Sequence, residues 1–153
     1  MIVGITGSRS FRYSSAELIS SKMLWLVTEL DVDTICFGGA KGADTIALSK
    51  VLEFRKSARF VLPKLIVILP NKLESQPPET HYTTRLADEV IELGLRITAE
   101  DHYEAYHARN RSIVDRSDEI VAFWNGDYAS GTWSCIKYAK SVKKPVEEIR
   151  LQK

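Results

Sequence analysis

The sequence is poor in the features that mark disulfide-rich, secreted and membrane proteins. It has two cysteines, Cys36 and Cys135, which fall in or beside predicted core elements and lack the spacing of metal ligands. We therefore expect no disulfide framework, and the reducing cytoplasm is the predicted location. No apolar run approaches the roughly 18 residues that span a bilayer. The first residues enter a predicted strand without a basic region, so we expect no signal peptide.

Neither positive nor negative charge is in excess in this sequence. The formal net charge is +1 over 153 residues, of which 44% are hydrophobic and 27% are charged. A dedicated nucleic-acid domain is usually strongly basic, so nucleic acid is a possible partner but not the favoured one, and no membrane partner is expected. The three histidines form no metal-binding pattern, and no Ser-His-Asp order is evident. We predict no metal and no cofactor.

Apolar runs and helical patterns alternate from one end of the chain to the other. This alternation predicts one α/β domain over residues 1–153, with a mainly parallel sheet flanked by helices on both faces. Pro77 and Pro78 lie in a polar run over residues 71–80 that we interpret as a surface loop. The predicted strands cover residues 2–6, 34–37, 65–69, 95–97, 119–124 and 146–149, and the predicted helices cover residues 14–30, 43–55, 83–93, 103–116 and 132–142.

Details of the predicted helices follow from local signals. Ser14 or Ser15 is expected to cap the first helix, whose buried face would include Leu18 and Leu30. Gly94 is expected at the C-cap of the helix over residues 83–93.

Glycines follow three of the predicted strands, and each glycine segment leads into a helix. A helix start offers free backbone N–H groups, which makes it a natural phosphate site. All three junctions would lie beyond the carboxyl ends of the strands, where α/β sheets bind ligands. The sequence therefore predicts a nucleotide site. The predicted ligand-binding residues lie at these junctions or on the helix over residues 103–116: Gly7, Ser8, Arg9, Gly38, Gly39, Ala40, Gly42, Asp44, Arg109, Asn110, Trp124, Gly126, Ser130, Gly131 and Thr132.

Individual residues at the junctions have alternative interpretations. Arg9 offers a guanidinium suited to phosphate, but an ordinary turn with a solvated arginine is equally consistent with the sequence. Asp44 either contacts a ligand hydroxyl or stabilises the first turn of its helix. The aromatic residues Trp124, Tyr128 and Trp133 either stack on a base or belong to the core or to a dimer interface.

Two of the arginines on the helix over residues 103–116 are predicted to lie on different sides of it. Arg109 and Arg111 point about 200° apart in a helix. We expect Arg109 or Asn110 to face the ligand and Arg111 to form a structural ion pair, with a solvated charged face as the alternative.

Four segments in this order resemble a known superfamily: residues 3–9, 38–44, 109–111 and 122–132. They are similar to the DNA-processing protein A and LONELY GUY Rossmann-like domains, often called SLOG, and above all to the small YspA-type branch. The resemblance implies a Rossmann-like fold that binds a nucleotide or nucleotide derivative at its glycine-rich strand ends. Several members use this site for sensing and some for hydrolysis.

The resemblance also bears on catalysis. The phosphoribohydrolase branch cleaves the N-glycosidic bond of nucleoside 5′-monophosphates with an Arg that lies eight residues before a Ser-Asp pair and with the Glu of a P-G-G-x-G-T-x-x-E motif. Arg109 keeps its place relative to Ser117 and Asp118, whereas Cys135 stands where the Glu belongs. A neutral thiol, with an ordinary pKa near 8.5, cannot stabilise an oxocarbenium-like transition state as a carboxylate does. Catalytic residues are otherwise unassigned.

These observations leave three functions open. Binding of a nucleotide or nucleotide derivative comes first. The alternatives are an enzyme, a nucleoside 5′-monophosphate N-glycosidase or deoxyribosyltransferase with Arg109 as a catalytic residue, and a single-stranded DNA-binding module. Apolar aromatics such as Tyr103, Tyr106 and Trp133 need cover if they are exposed, so we expect a homo-oligomer.

Overall fold

A parallel sheet organises the part of the chain that the computed structural model describes, residues 1–28, 31–57, 62–100 and 102–153. Its strands are β1 Ile2–Gly7, β2 Thr34–Phe37, β3 Lys64–Leu69, β4 Glu89–Glu92, β5 Glu119–Trp124 and β6 Val146–Arg150. They lie in the order β4-β3-β2-β1-β5-β6. Every neighbouring pair is parallel, which confirms the predicted sheet.

Helices cover both faces of this sheet. They are α1 Ala16–Thr28, α2 Ala43–Ser57, α3 His81–Arg85, α4 His102–Arg116 and α5 Gly131–Ser141. Successive side chains of a strand point to opposite faces. On β5, Val121 and Phe123 accordingly join the core beneath α1 and α2, while Ile120 and Ala122 pack on the side of α4 and α5. The predicted α/β class is confirmed.

Strand order reverses beside β1, and this reversal positions the site. From β1 the chain runs outward through β2, β3 and β4, and then returns to the other side of β1 for β5 and β6. The register pairs Gly7 of β1 with Phe123 of β5, so the two strands end close together. A crevice beyond the carboxyl ends of such strands is the usual ligand site of an open parallel sheet.

The predicted helix over residues 83–93 is wrong. Helix α3 ends at Arg85, and Glu89–Glu92 forms the edge strand β4 on β3. The Asp88 carboxylate accepts hydrogen bonds from the amide of Leu65 at 2.7 Å and from Arg55 at 2.8 Å, which fixes the start of the edge strand. Pairing with β3 thus overrides the local helix propensity. Gly94 has a φ of +68° in the irregular segment after β4 and caps no helix.

Smaller differences concern the ends of elements. Residues 95–97 form no strand, and the Ser15 hydroxyl accepts a hydrogen bond from the amide of Gln152 at 3.0 Å instead of capping a helix. Leu18 is 47% exposed, contrary to the prediction, and Leu30 lies outside the described residues. None of the described helices combines the length and apolar character that crossing a membrane requires.

Candidate nucleotide-binding site

The three glycine junctions meet around a single cavity of about 320 Å³. This volume lies at the lower end of the roughly 300–1,000 Å³ typical of small-molecule sites. Its walls come from the end of β1, the loop after β2, one side of α4 and the start of α5. The predicted site residues that line it are Gly7, Ser8, Arg9, Gly38, Ala40, Asp44, Arg109, Asn110, Ser130, Gly131 and Thr132.

Three predicted glycines lie outside the cavity and allow close packing behind it. A Cβ on Gly39 would lie 2.8 Å from a leucine side chain of β3. A Cβ on Gly42 would lie 2.6 Å from the carbonyl oxygens of residues 8 and 9, and one on Gly126 would lie 2.0 Å from the guanidinium of Arg150. These glycines bring the loops together but do not reach the cavity.

Trp124 is also absent from the cavity wall. Its ring stacks on Trp133 with 4.9 Å between centroids and an interplanar angle of 15°. Its Nε1 donates to the carbonyl oxygen of Asp127 at 3.1 Å, and Tyr128 packs edge-on against both indoles. Trp124 is only 6% exposed, so the structure places it in the core, the alternative that the sequence left open.

Ser8 joins the ends of β1 and β5. Its amide donates to the carbonyl of Phe123 at 2.8 Å, and its hydroxyl accepts from the amide of Asn125 at 3.0 Å. Its carbonyl accepts from the amide of Ala43, at the start of α2, at 3.0 Å. The amide, hydroxyl and carbonyl of Ser8 therefore already have hydrogen-bond partners within the protein. Asn125, which sequence reasoning missed, could have been suspected only from its place directly after β5.

Arg9 is the exposed cation of the cavity. Its guanidinium carbon lies 5.2 Å from the ring centroid of Tyr106, a distance suited to a cation–π contact. No ion pair of Arg9 occurs within the described part of the chain. An arginine that lines a cavity without a carboxylate partner is available to an anion.

Asp44 is a buried carboxyl group on the cavity wall. It is 3% exposed, and its Oδ2 accepts from the amide of Ala40 at 3.0 Å. Its Oδ1 is closed off from solvent. Burial raises the pKa of Asp44 from its usual 3.8 to about 6, although the charge of Arg109 and hydrogen bonds from the amides of Ala40, Gly38 and Gly39 oppose the change.

This raised pKa predicts a pH-dependent stability. The folded state holds the Asp44 proton more tightly than the unfolded state, so stability is fully present below pH 3.8 and is lost as the pH rises through about 6. At 1.36 kcal/mol for each pKa unit, the loss is about 3 kcal/mol. Relative to Asp44→Asn, the wild type should therefore lose this much unfolding free energy between about pH 4 and pH 7. Urea titrations of both proteins at several pH values measure it, and parallel pH profiles would contradict it.

Arg109 ties α4 to the end of β2. It is 4% exposed; its Nη1 donates to the carbonyl oxygen of Gly38, and its Nε donates to Asn110 Oδ1 at 2.9 Å. A Cβ on Gly38 would lie 2.9 Å from the guanidinium carbon, so the glycine makes room for the arginine. Burial lowers the pKa of Arg109, and the negative charge of Asp44 opposes that. Arg109 lines the cavity, yet its main contacts are within the protein.

Arg111 lies on the other side of α4, as its helical position predicts. Its Nη2 forms an ion pair with Glu104 Oε1 at 2.7 Å. Asn110 lines the cavity beside Arg109. Arg111 thus forms the ion pair that the sequence predicted, and Arg109 and Asn110 both lie on the cavity side of α4.

The start of α5 presents unused backbone donors to the cavity. Ser130 caps the helix by accepting the amide of Trp133 on its hydroxyl at 3.2 Å. Gly131 and Thr132 both line the cavity, and their amides donate to no acceptor in the described part of the chain. Free amides at a helix N-terminus, reinforced by the helix dipole, favour an anion.

Cys135 points into the core and not into the cavity. It is 1% exposed and packs with side chains of α4, β5 and α5. Burial raises the pKa of its thiol to about 11, against the hydrogen bond with Thr6 and the charge of Arg109. The thiol is therefore neutral near pH 7 and supplies no negative charge there.

Helix α4 contributes an aromatic wall that sequence reasoning missed. His102, Tyr103 and Tyr106 line the cavity, and His102 stacks on Tyr103 with 4.3 Å between centroids. Tyr106 lies three residues before Arg109 and four before Asn110, and His102 and Tyr103 lie four and three residues before Tyr106, which is the spacing of one helical face. That spacing was the signal in the sequence. The aromatics that the sequence predicted to stack on a base were instead Trp124, Tyr128 and Trp133.

Comparison with known proteins supports the fold. The chain is similar to the X-ray structure of DNA processing protein A (DprA) from Streptococcus pneumoniae, with a TM-score of 0.70 and 22% identity. The match covers 95% of this chain and 49% of that one, so the chain spans about half the length of this neighbour. At that identity the likeness shows a DprA-like Rossmann fold alone. No protein-family model and no curated protein matches the chain.

Proposed function

We propose that the protein binds a nucleotide or a nucleotide derivative in the cavity at the strand-order reversal, as a sensor or processing module. We further propose that it belongs to the SLOG superfamily and its YspA-type branch, on the order of its four motifs. The polar groups of the cavity, and not the fold alone, support this function.

One observation carries the proposal: the free amides of Gly131 and Thr132 open onto the same cavity as Arg9. Helix α5 has 11 residues, enough for its N-terminal dipole to favour an anion. Arg9 and Arg109 add two positive charges to the wall, and Asp127 and Asp44 are the carboxyl groups that oppose them. A phosphate bound by the α5 amides and Arg9 would satisfy donors that the protein leaves unused.

The aromatic wall of α4 suits the base. Tyr103 is 71% exposed at the cavity, so one of its faces is open to a planar ring. Tyr106 lies deeper, within cation–π distance of Arg9 and Arg109, at 5.2 and 5.4 Å. An aromatic platform beside an anion site is the combination that a nucleotide requires.

Replacing Arg9 with alanine should weaken nucleotide binding. A charge-assisted hydrogen bond to phosphate is worth about 1.5–3 kcal/mol, so the dissociation constant should rise about tenfold or more. Calorimetric titration with nucleoside mono- and diphosphates, ADP-ribose and cyclic nucleotides measures the change. Thermal shifts with the same panel provide a second readout, because a bound ligand stabilises the folded state.

Arg116→Ala is the matched control for Arg9→Ala. Arg116 is an exposed arginine in the last turn of α4 and does not line the cavity. Both variants lose one positive charge, so only Arg9→Ala should lose affinity beyond the general electrostatic effect. Absence of binding by the wild type to the whole panel at millimolar concentration would refute the proposed function.

Single-stranded DNA is a second candidate ligand. Arg9, Arg12 and Lys41 are exposed on loops near this end of the sheet, and the similar solved structure is named a DNA processing protein. Fluorescence anisotropy with a labelled oligonucleotide tests this function. An affinity that falls steeply with added salt, and exceeds that for mononucleotides, would favour DNA over a free nucleotide.

A further inference from the structure

The side-chain amide of Asn110 has a fixed orientation on the cavity wall. Arg109 Nε donates a hydrogen bond to Asn110 Oδ1 at 2.9 Å. A guanidinium N–H is only a donor, so the atom that faces it must be the amide oxygen and not the NH₂ group. Arg109 is 4% exposed and also donates to the carbonyl oxygen of Gly38, so its own position is set by the fold. Asn110 Nδ2 is therefore turned away from Arg109.

Asn110 Nδ2 is a donor without an acceptor in the described part of the protein. It makes no hydrogen bond within the described residues, although Asn110 lines the cavity. In contrast to Asp44 Oδ1, this nitrogen is not closed off from solvent. An amide NH₂ group has two donor hydrogens, and polar groups that converge on a cavity fix the orientation of its ligand. Asn110 Nδ2 is thus available to an acceptor atom of a ligand.

Asn110 Nδ2 lies close to the start of α5. A Cβ on Gly131 would lie 3.9 Å from Asn110 Nδ2. Since a Cβ is about 2.5 Å from the backbone nitrogen of its own residue, at most about 6.4 Å separates Asn110 Nδ2 from the Gly131 nitrogen. Oxygens of one phosphate group, each about 2.9 Å from its donor, can bridge two nitrogens at this separation. One phosphate can therefore accept hydrogen bonds from both α4 and α5.

The hydroxyl of Thr132 independently points to a ligand in this part of the cavity. Thr132 is 5% exposed and lines the cavity. Its hydroxyl makes no hydrogen bond within the described residues and is not closed off from solvent. Buried hydroxyls are nearly always hydrogen-bonded, so this one is suited to a ligand atom. Together with Asn110 Nδ2 and the two α5 amides, it forms a set of neutral donors that suits an anion.

We propose that Asn110 Nδ2 donates a hydrogen bond to the phosphate group of the ligand, and that Arg109 is the positioning residue that keeps Nδ2 turned towards it. This inference rests on the proposed nucleotide function. It adds a neutral donor from α4 to the anion site formed by Arg9 and the start of α5. Hydrogen bonds to an ionised group are stronger than those between neutral groups, so the Asn110 amide contributes to affinity although it carries no charge.

Two substitutions of Asn110 distinguish contact with phosphate from a structural role. Asn110→Ala removes the donor without a change of charge, so the dissociation constant should rise about tenfold or more, as expected for the loss of a hydrogen bond to a charged group. Asn110→Asp replaces the NH₂ group with an acceptor oxygen and adds a negative charge, so it should weaken binding more than Asn110→Ala does. Calorimetric titration with nucleoside mono- and diphosphates, ADP-ribose and cyclic nucleotides measures both changes.

The opposite order is expected if Asn110 only supports Arg109. A carboxylate accepts from Arg109 Nε at least as well as an amide oxygen does, so Asn110→Asp would then retain more affinity than Asn110→Ala. This comparison separates a contact with the ligand from an effect that passes through Arg109.

Asn71→Asp is the control for the change of charge. Asn71 follows β3, does not line the cavity, and its Oδ1 accepts from the amide of Lys72 at 2.8 Å. Because salt screens a charge outside the site, this variant should bind within about threefold of the wild type. Thermal unfolding checks that all three variants are folded.

The outcomes separate the two proposals. Binding by Asn110→Ala within about threefold of the wild type overturns the role of Asn110, whatever the affinity of Asn110→Asp, because no hydrogen bond to a charged group is then lost. Stronger binding by Asn110→Asp than by Asn110→Ala also overturns it. Both results leave nucleotide binding standing. Absence of binding by the wild type to every one of these ligands refutes the proposed function and this inference together.

Discussion

Arg109→Met should lower the free energy of unfolding by about 1.5–3 kcal/mol, the range for losing a buried hydrogen bond that a charged group makes. Methionine fills much of the space of the arginine side chain but carries neither its charge nor its donors. The carbonyl of Gly38 would lose its donor, and the Asp44 carboxyl would lose the positive charge that offsets its burial. Urea denaturation followed by tryptophan fluorescence measures the change.

Arg111→Met is the control on the same helix. Arg111 pairs with Glu104 at the surface, where the side chains are 40% and 73% exposed. Exposed ion pairs contribute about 0–1 kcal/mol, so this variant should remain close to the wild type. Similar losses for the two variants would contradict the idea that Arg109 is a buried link between α4 and the end of β2.

The position of Arg109 explains why the fold and the site depend on each other. Its guanidinium lies over Gly38, contacts the carbonyl there and acts electrostatically on Asp44. The same side chain lines the cavity, so any ligand meets a group that the fold already uses. Arg9, which makes no ion pair within the described ranges, is better suited to anion binding.

Much of the fold could be predicted because its strands carry strong local signals. The runs that form β1, β2 and β5 are apolar and end at or before glycine or a polar loop, and their predicted bounds agree with the structure within one residue. Strand β4 could not be predicted in this way. Its four residues lie in a segment whose local pattern predicts a helix, and they form a strand through pairing with β3, a contact distant in sequence.

The location of the site could be predicted from the sequence, but its free hydrogen-bonding atoms could not. Glycine junctions after parallel strands converge by topology, so the cavity follows from the strand order. The strand order does not show which hydrogen-bonding atoms of the site remain free for a ligand. The Ser8 hydroxyl is used by Asn125, which is 117 positions away in sequence, and the Ala40 amide is used by Asp44. Such contacts require the folded chain, as does the placement of Trp124 in the core.

Gly42→Ala should destabilise the protein by about 3 kcal/mol or more, the sum expected of left-handed strain and overpacking. Gly42 has a φ of +91°, and a Cβ there would lie 2.6 Å from the carbonyl oxygens of Ser8 and Arg9. These neighbours are backbone atoms and cannot move aside as the end of a side chain can. A shift of this loop would displace Arg9, so nucleotide affinity should fall together with stability.

Gly94→Ala is the control that separates the cost of backbone strain from the cost of a close atomic contact. Gly94 has a similar left-handed φ of +68°, but a Cβ there would meet no atom within 4 Å. Its replacement should cost only the backbone term, about 1–2 kcal/mol, and should leave nucleotide affinity unchanged. Urea denaturation and calorimetric titration of both variants measure the two effects. If Gly42→Ala cost no more than Gly94→Ala, the loop after β2 would not be packed tightly against the end of β1, and the junctions would not form one rigid rim around the cavity.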